Sequence, residues 1–175
     1  MTQGTPAAQM IDAAWVEEFV GRWSGALNAH EASGVLALMA ADIVYDDSAW
    51  PTQIRGHDEV RPFLDHIWTG MPDLRFEMTD GPYVMPGQPK AAFAWRGTAT
   101  HAGLIDPPGL RATGRAIEFE GLATHEYRDG KVARLRVVFD RTDVMRQLGV
   151  LPPAGSREER VMAKVTNLRG RLPLG

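Results

Sequence analysis

The stretch Ile117–Asp140, IEFEGLATHEYRDGKVARLRVVFD, decides the fold. Ile117, Phe119, Ala123 and Tyr127 alternate with Glu118, Glu120 and Glu126, the two-residue period of a strand with one face buried. Asp129-Gly130 is a two-residue hairpin signal, because both positions accept positive φ. Val132–Asp140 then reads as the returning strand. Working backwards, Ala91–His101 sets Phe93, Trp95 and Ala99 against Arg96, Thr98 and Thr100. Leu74–Thr79, with Tyr83–Met85 beyond a Gly81-Pro82 turn, supplies a further strand. Consecutive alternating strands joined by turns predict an antiparallel meander. Gly97 and Gly121 fall inside strands, where glycine marks a bulge or bend.

Before Gly70 the period is helical. Ile11, Trp15, Phe19, Val20, Trp23 and Leu27 predict an amphipathic helix over Gln9–Leu27. A second helix is expected over Glu31–Ala40, then a short strand at Ile43–Tyr45. A third helix carries Val60, Phe63, Leu64, Ile67 and Trp68, with Pro62 near its first turn, where proline is tolerated. After Asp140, Val144, Met145 and Leu148 predict a short helix stopped by Gly149. Ser156 caps a last one reaching Leu168. Helices first and strands second predict an α+β fold, with helices packed on a strongly curved antiparallel sheet. The expected shape is a cone-shaped α+β barrel over residues 9–151 enclosing an apolar pocket. A flexible terminus at 1–8 and an extension at 152–175 flank it.

Bulk properties exclude several function classes. The net charge of -3, with no basic cluster, leaves no footprint for nucleic acid. No Cys is present, which excludes disulfides, thiolate metal sites and a Cys nucleophile. No apolar run approaches the ~20 residues of a membrane span. Residues 1–8 lack the pattern of a secretory signal, so a cytoplasmic protein is the default expectation. Neither a His-Glu-x-x-His motif nor a Gly-x-Ser-x-Gly elbow occurs, and the Gly103–Gly114 loop matches no nucleotide motif. No metal and no cofactor are expected.

The candidate residues carry open alternatives. Asp140 stands at a strand-to-helix junction, as an N-cap or as a pocket carboxylate with raised pKa. Strand parity puts it with Arg134, Arg136 and Val138, opposite Leu135, Val137 and Phe139. His125 lies on the apolar face of its strand, as a core residue or a proton carrier. His101 either hydrogen-bonds into the Gly109–Gly114 loop or reaches the pocket. Of Asp46 and Asp47 at most one faces inward, and a solvated turn is the expectation for both. Trp23, Trp95 and Phe119 are expected to line the pocket, with Trp50 as a lid.

The segments GHDEVRPFL (56–64), MPDLRFEM (71–78), RGTATHAG (96–103), ATGRAIEFEG (112–121) and EYRDGKVARLRVVFDRTDVMRQLG (126–149) together resemble the SnoaL-like polyketide cyclases of the nuclear-transport-factor-two-like superfamily. The resemblance spans residues 12–150. It implies Asp140 as acid/base for an intramolecular aldol closure, assisted by His125, and a homodimer formed through the outer sheet face; Arg136 is a further expected pocket residue. The expected function is thus a cofactor-independent acid/base enzyme for a hydrophobic carbonyl compound. Isomerase, dehydratase, hydrolase and binding or assembly module stand as alternatives.

Overall fold

The computed structural model describes residues 11–169, so the expectation for residues 1–8 lies outside it, as does the extension beyond 169. Helix α1 (Ala13–Asn28) begins where the Asp12 carboxylate accepts the Trp15 N–H at 2.8 Å, and it buries Val16, Phe19, Val20 and Trp23. Helix α2 (Ala32–Ala37) is shorter than expected. Strand β1 (Met39–Asp47) begins at Met39, inside the expected helix, and runs two residues beyond Tyr45. Those two residues change the reading of the site. A two-residue strand, β2 (Ile54–Arg55), precedes α3 (Gly56–Gly70), which buries Val60, Phe63, Leu64 and Trp68. Strands β3 (Arg75–Val84), β4 (Lys90–Thr100), β5 (Ala116–Arg128) and β6 (Lys131–Phe139) form the meander. Helices α4 (Arg141–Gln147) and α5 (Arg157–Arg169) follow. Among the described residues no helix is long and apolar enough to cross a membrane.

The sheet order is β2-β1-β6-β5-β4-β3. Pairing from β3 through β6 is antiparallel, but β1 lies parallel to β6, so the sheet is mixed rather than wholly antiparallel. Nor does it close into a barrel. Its two edges, β2 and β3, stay apart, and α1 and α3 complete the enclosure over the concave face. At the β5–β6 turn Asp129 and Gly130 have φ of 51° and 73°, the conformation that a two-residue hairpin demands.

Neither in-strand glycine is a bulge. The β4–β5 register is unbroken from Lys90–Glu126 to Thr100–Ala116, through Gly97 and Gly121. Both are places of close approach instead. A methyl group on Gly97 would come 2.8 Å from the Phe119 ring, and one on Gly121 would strike the Val138 carbonyl and the Trp95 indole. The missing side chains let two large rings lie flat on the concave wall. The register shifts fall elsewhere, in β3 around Asp80, between Met39 and Val44, and at Glu126/Tyr127.

The outer face shows a second pattern. Ala94, Leu122 and Val138 form a cross-strand apolar row, with Leu122 and Val138 exposed. Glu77, Glu118 and Glu120 gather around Arg96 on one side of the row; on the other lie Arg136 and the ion pairs Lys90–Glu126 and Arg134–Asp46, an excess of one positive charge.

Candidate functional site

The concave face, α1 and α3 enclose a cavity of about 200 Å³. Its wall is mostly aromatic. Trp95 stands edge-on to Phe119 at 5.6 Å and to Phe139 at 6.0 Å. Trp50 and Tyr45 each meet Phe63 edge-on, at 5.1 and 5.3 Å. Five of the residues expected at the pocket line it: Trp23, Trp50, Trp95, Phe119 and His125.

Three do not. Asp140 is exposed at the N-cap of α4, where one carboxylate oxygen accepts the N–H groups of Thr142 at 2.8 Å and Asp143 at 3.0 Å. Parity explains the placement, since Phe139 takes the inward position before it. Arg136 is exposed on the outer face, in register with Thr124 and Asp46. His101 is fully buried, but its Nδ1 is held by the Thr113 hydroxyl at 3.1 Å and N–H at 3.3 Å, inside the Gly109–Gly114 loop. Among the described residues no three ligating side chains gather to hold a metal ion, so His101, His125 and Asp140 do not converge.

Among the described residues two carboxylates line the cavity, Glu77 and Asp47; Glu77 is exposed and pairs with Arg96, whereas Asp47 is half-buried in the wall. The extra length of β1 puts Ile43, Tyr45 and Asp47 on one face, while Asp46 turns outward to Gln53 at 2.7 Å and Arg134 at 3.1 Å. The expectation of a solvated turn therefore fails at Asp47. Extending the alternation past Tyr45 is the sequence signal that would have found it. The Asp47 Oδ1 accepts the Ala49 N–H at 2.8 Å and Oδ2 accepts the Tyr45 hydroxyl at 3.0 Å. Burial nevertheless raises its pKa above the ordinary carboxylate value. The two hydrogen bonds and the nearby Arg141 guanidinium temper that rise. Arg141, the first residue of α4, also lines the cavity and donates to the Ser48 carbonyl at 3.1 Å.

His125 is two strands away in the same wall. Tyr45, Leu135, His125 and Ala91 form one cross-strand row, and Asp47, Val137, Ala123 and Phe93 the next row of the same face. At about 4.8 Å per strand, Tyr45 and His125 stand roughly 10 Å apart. Rings surround the imidazole, with Phe93 at 4.9 Å, Trp23 at 5.3 Å and Phe19 at 6.2 Å. Desolvation lowers its pKa to about 3, so the ring is neutral at physiological pH. The Nδ1 meets the Tyr127 hydroxyl at 3.1 Å, and the buried Nε2 has no partner among the described residues.

The profile of the SnoaL-like domain matches residues 20–135. The chain belongs to the SnoaL-like family. Both Asp47 and His125 fall within the matched segment, and Asp140 falls after it. Solved structures with the same fold include AclR from Streptomyces galilaeus, provisionally designated a hydroxylase. It is 22% identical, with 91% of this chain and 96% of that one covered, at a TM-score of 0.68. A provisionally designated SnoaL-like polyketide cyclase from Jannaschia sp. CCS1 is 15% identical over 87% and 100% of the two chains, TM-score 0.68. A protein with a ketosteroid isomerase-like fold from Catenulispora acidiphila DSM 44928 is 14% identical over 78% and 98%, TM-score 0.63. At these identities the likeness shows a shared fold. No curated protein matches the chain.

The depressed pKa of His125 has a consequence for stability. Between about 6.5, the ordinary value, and about 3, the unfolded chain binds a proton that the folded chain does not. Stability from this group is therefore full above pH 6.5 and is lost as pH falls, by up to about 1.4 kcal/mol per pH unit. Urea denaturation of the unaltered protein between pH 7 and pH 5 is expected to show that slope. His125→Gln, which carries no titrating group, is expected to flatten it by about one proton, and equal slopes in both proteins would contradict the assignment.

Proposed function

We propose that the cavity is the active site of a cofactor-independent acid/base enzyme acting on an apolar, carbonyl-bearing small molecule. Asp47 is the base and His125 the hydrogen-bond donor to the substrate oxygen. One observation carries this reading: of the described carboxyl groups at the cavity, Asp47 is the one whose pKa is raised by burial, and the wall around it is mostly apolar and ring-lined. A desolvated carboxylate is a stronger base than one in water, and proton abstraction beside a carbonyl needs that strength.

The favoured reaction is an intramolecular aldol closure of a polyketide-like chain. Asp47 takes the proton from the carbon between or beside carbonyls, and the electron pair moves onto oxygen as an enolate. The neutral His125 donates a hydrogen bond to that oxygen. The enolate carbon then attacks a second carbonyl carbon and forms the new C–C bond. The resulting alkoxide recovers the proton from Asp47, so no oxidant or metal enters the balance. Trp23, Trp95, Phe119 and the Trp50 side of the cavity hold the chain folded, and Arg141 helps keep the Asp47 turn in place. The provisional designation of the Jannaschia relative as a polyketide cyclase supports the substrate class. Isomerisation, dehydration and hydrolysis use the same two groups and differ in what the enolate does next.

Asp140 has a structural part in this account, as the cap of α4. The test is product formation, or deuterium exchange at the acidic carbon, across a panel of polyketide-like β-dicarbonyl compounds. Asp47→Asn preserves shape and is expected to lower the rate at least about 100-fold. Asp140→Ala is expected to cost about 1 kcal/mol of stability and leave turnover within twofold of normal, as general experience with exposed caps suggests. Full turnover in Asp47→Asn, or its loss in a folded Asp140→Ala protein, would sink the assignment.

We also infer that two copies pair through the outer sheet face. A two-fold axis through the Ala94–Leu122–Val138 row can set the acidic side of one copy against the basic side of the other. Light scattering is expected to give twice the 19.2 kDa chain mass, and Leu122→Glu to halve it. A single-chain mass for the unaltered protein would refute the pairing.

A further inference from the structure

Tyr127 is not among the cavity-lining residues, yet its hydroxyl governs one that is. It is buried, at 3% exposure, with its ring set edge-on to Trp15 at 4.9 Å and Phe19 at 5.1 Å. Among the described residues the hydroxyl has one hydrogen-bond partner, Nδ1 of His125. The neutral imidazole has two tautomers, and the groups around it do not treat them equally.

If Nδ1 carried the proton, it would donate to the Tyr127 oxygen. The hydroxyl proton would then have no acceptor, and the Nε2 lone pair would have no donor. If Nε2 carries the proton, the Tyr127 hydroxyl donates to Nδ1 and both are satisfied. One buried group is then left over, the Nε2–H itself. Fewer buried unpaired groups is the stable choice, because each loses its water without replacement. The Tyr127 hydroxyl also keeps its proton, since burial raises its pKa.

We infer that Tyr127 is a positioning residue that locks His125 in the Nε2–H tautomer, making this part of the cavity wall a fixed hydrogen-bond donor for an oxygen acceptor of the ligand. Nδ1 being occupied, Nε2 is the ring nitrogen left for a ligand; it is buried in the cavity wall, so the Trp23 and Phe93 rings beside it must give way for a ligand oxygen to reach it. A ligand carbonyl supplies the acceptor that this N–H does not find among the described residues. As the carbonyl becomes an enolate the acceptor strengthens while the donor stays in place, which is how preorganised donors favour a transition state. A ligand presenting only an N–H or an apolar atom leaves the donor unpaired and is disfavoured. This rests on the proposed acid/base reading of the cavity, and it adds which functional group is read and what fixes the reader.

The test is ¹⁵N-detected NMR of protein labelled at histidine, which distinguishes the two tautomers and the imidazolium. The unaltered protein is expected to show His125 protonated on Nε2 alone from pH 5 to pH 8. In Tyr127→Phe the pattern is expected to change to a mixture or to the Nδ1–H form. With a turned-over dicarbonyl substrate, that variant should lose about tenfold in kcat with KM within twofold, part of the 100- to 1,000-fold that deleting such a donor outright costs. A His125 carrying its proton on Nδ1 in the unaltered protein overturns the inference, and that spectrum decides even where the variant folds poorly. A tautomer that stays Nε2–H in folded Tyr127→Phe overturns the role of Tyr127. The two readings fail separately: an Nε2–H tautomer that depends on Tyr127, in a protein inactive on every dicarbonyl, preserves the positioning and removes the enzyme.

Discussion

Side chains alternate across a strand, and in this protein that alternation decides what faces water and what faces the cavity. Strand β5 is hydrogen-bonded on both sides, to β4 in an unbroken register and to β6 through a tight hairpin, so its parity cannot slip without moving every neighbour. Ile117, Phe119, Ala123, His125 and Tyr127 are thereby committed to the concave side. The same rule carries across β6 to β1, where it brings Tyr45 and Asp47 inward and sends Asp46 out. The inward placement of Asp47 and His125 is a product of sheet register.

Holding such groups in an apolar wall opposes stability. Burial disfavours the ionised forms of Asp47 and His125 alike, raising one pKa and lowering the other. For Asp47 the Tyr45 hydroxyl and the Ala49 N–H offset part of this, whereas the Tyr127 hydroxyl pairs with His125 in its neutral form. The glycines work in the same direction: at 97 and 121 the absent side chains give Phe119 and Trp95 room to lie against the sheet. A chain selected for stability alone would fill a 200 Å³ cavity and replace its carboxylate and imidazole with apolar groups. Their retention agrees with use by a ligand.

Most of the fold was legible because period is a local property. Helix α3, the strands β4 to β6, the Asp129-Gly130 turn and the cap at Ser156 all follow from neighbouring residues. The parallel β1–β6 pairing was not legible, since pairing between strands about ninety residues apart leaves no local mark, and β2, at two residues, is too short to show a period. The site was legible in part. Aromatic residues at inward parity predicted Trp95, Phe119 and His125. Asp140 sits next to inward Phe139, so parity already opposed a pocket position, and the resemblance alone placed it there. Asp47 was missed because Met39 was read as helix and the strand was ended at Tyr45, which hid the inward series Ile43, Tyr45, Asp47.

The account turns on the protonation behaviour of one carboxyl group. Residue-specific ¹³C NMR titration of the Asp47 carboxyl in the ligand-free protein measures it directly, with Asp47→Asn used to assign the signal. The account predicts a midpoint clearly above about 3.9, the ordinary aspartate value, because burial outweighs the bonds from Ala49 and Tyr45. A midpoint at or below that value would show a solvated or ion-paired carboxylate, and Asp47 would lose its claim to be the base.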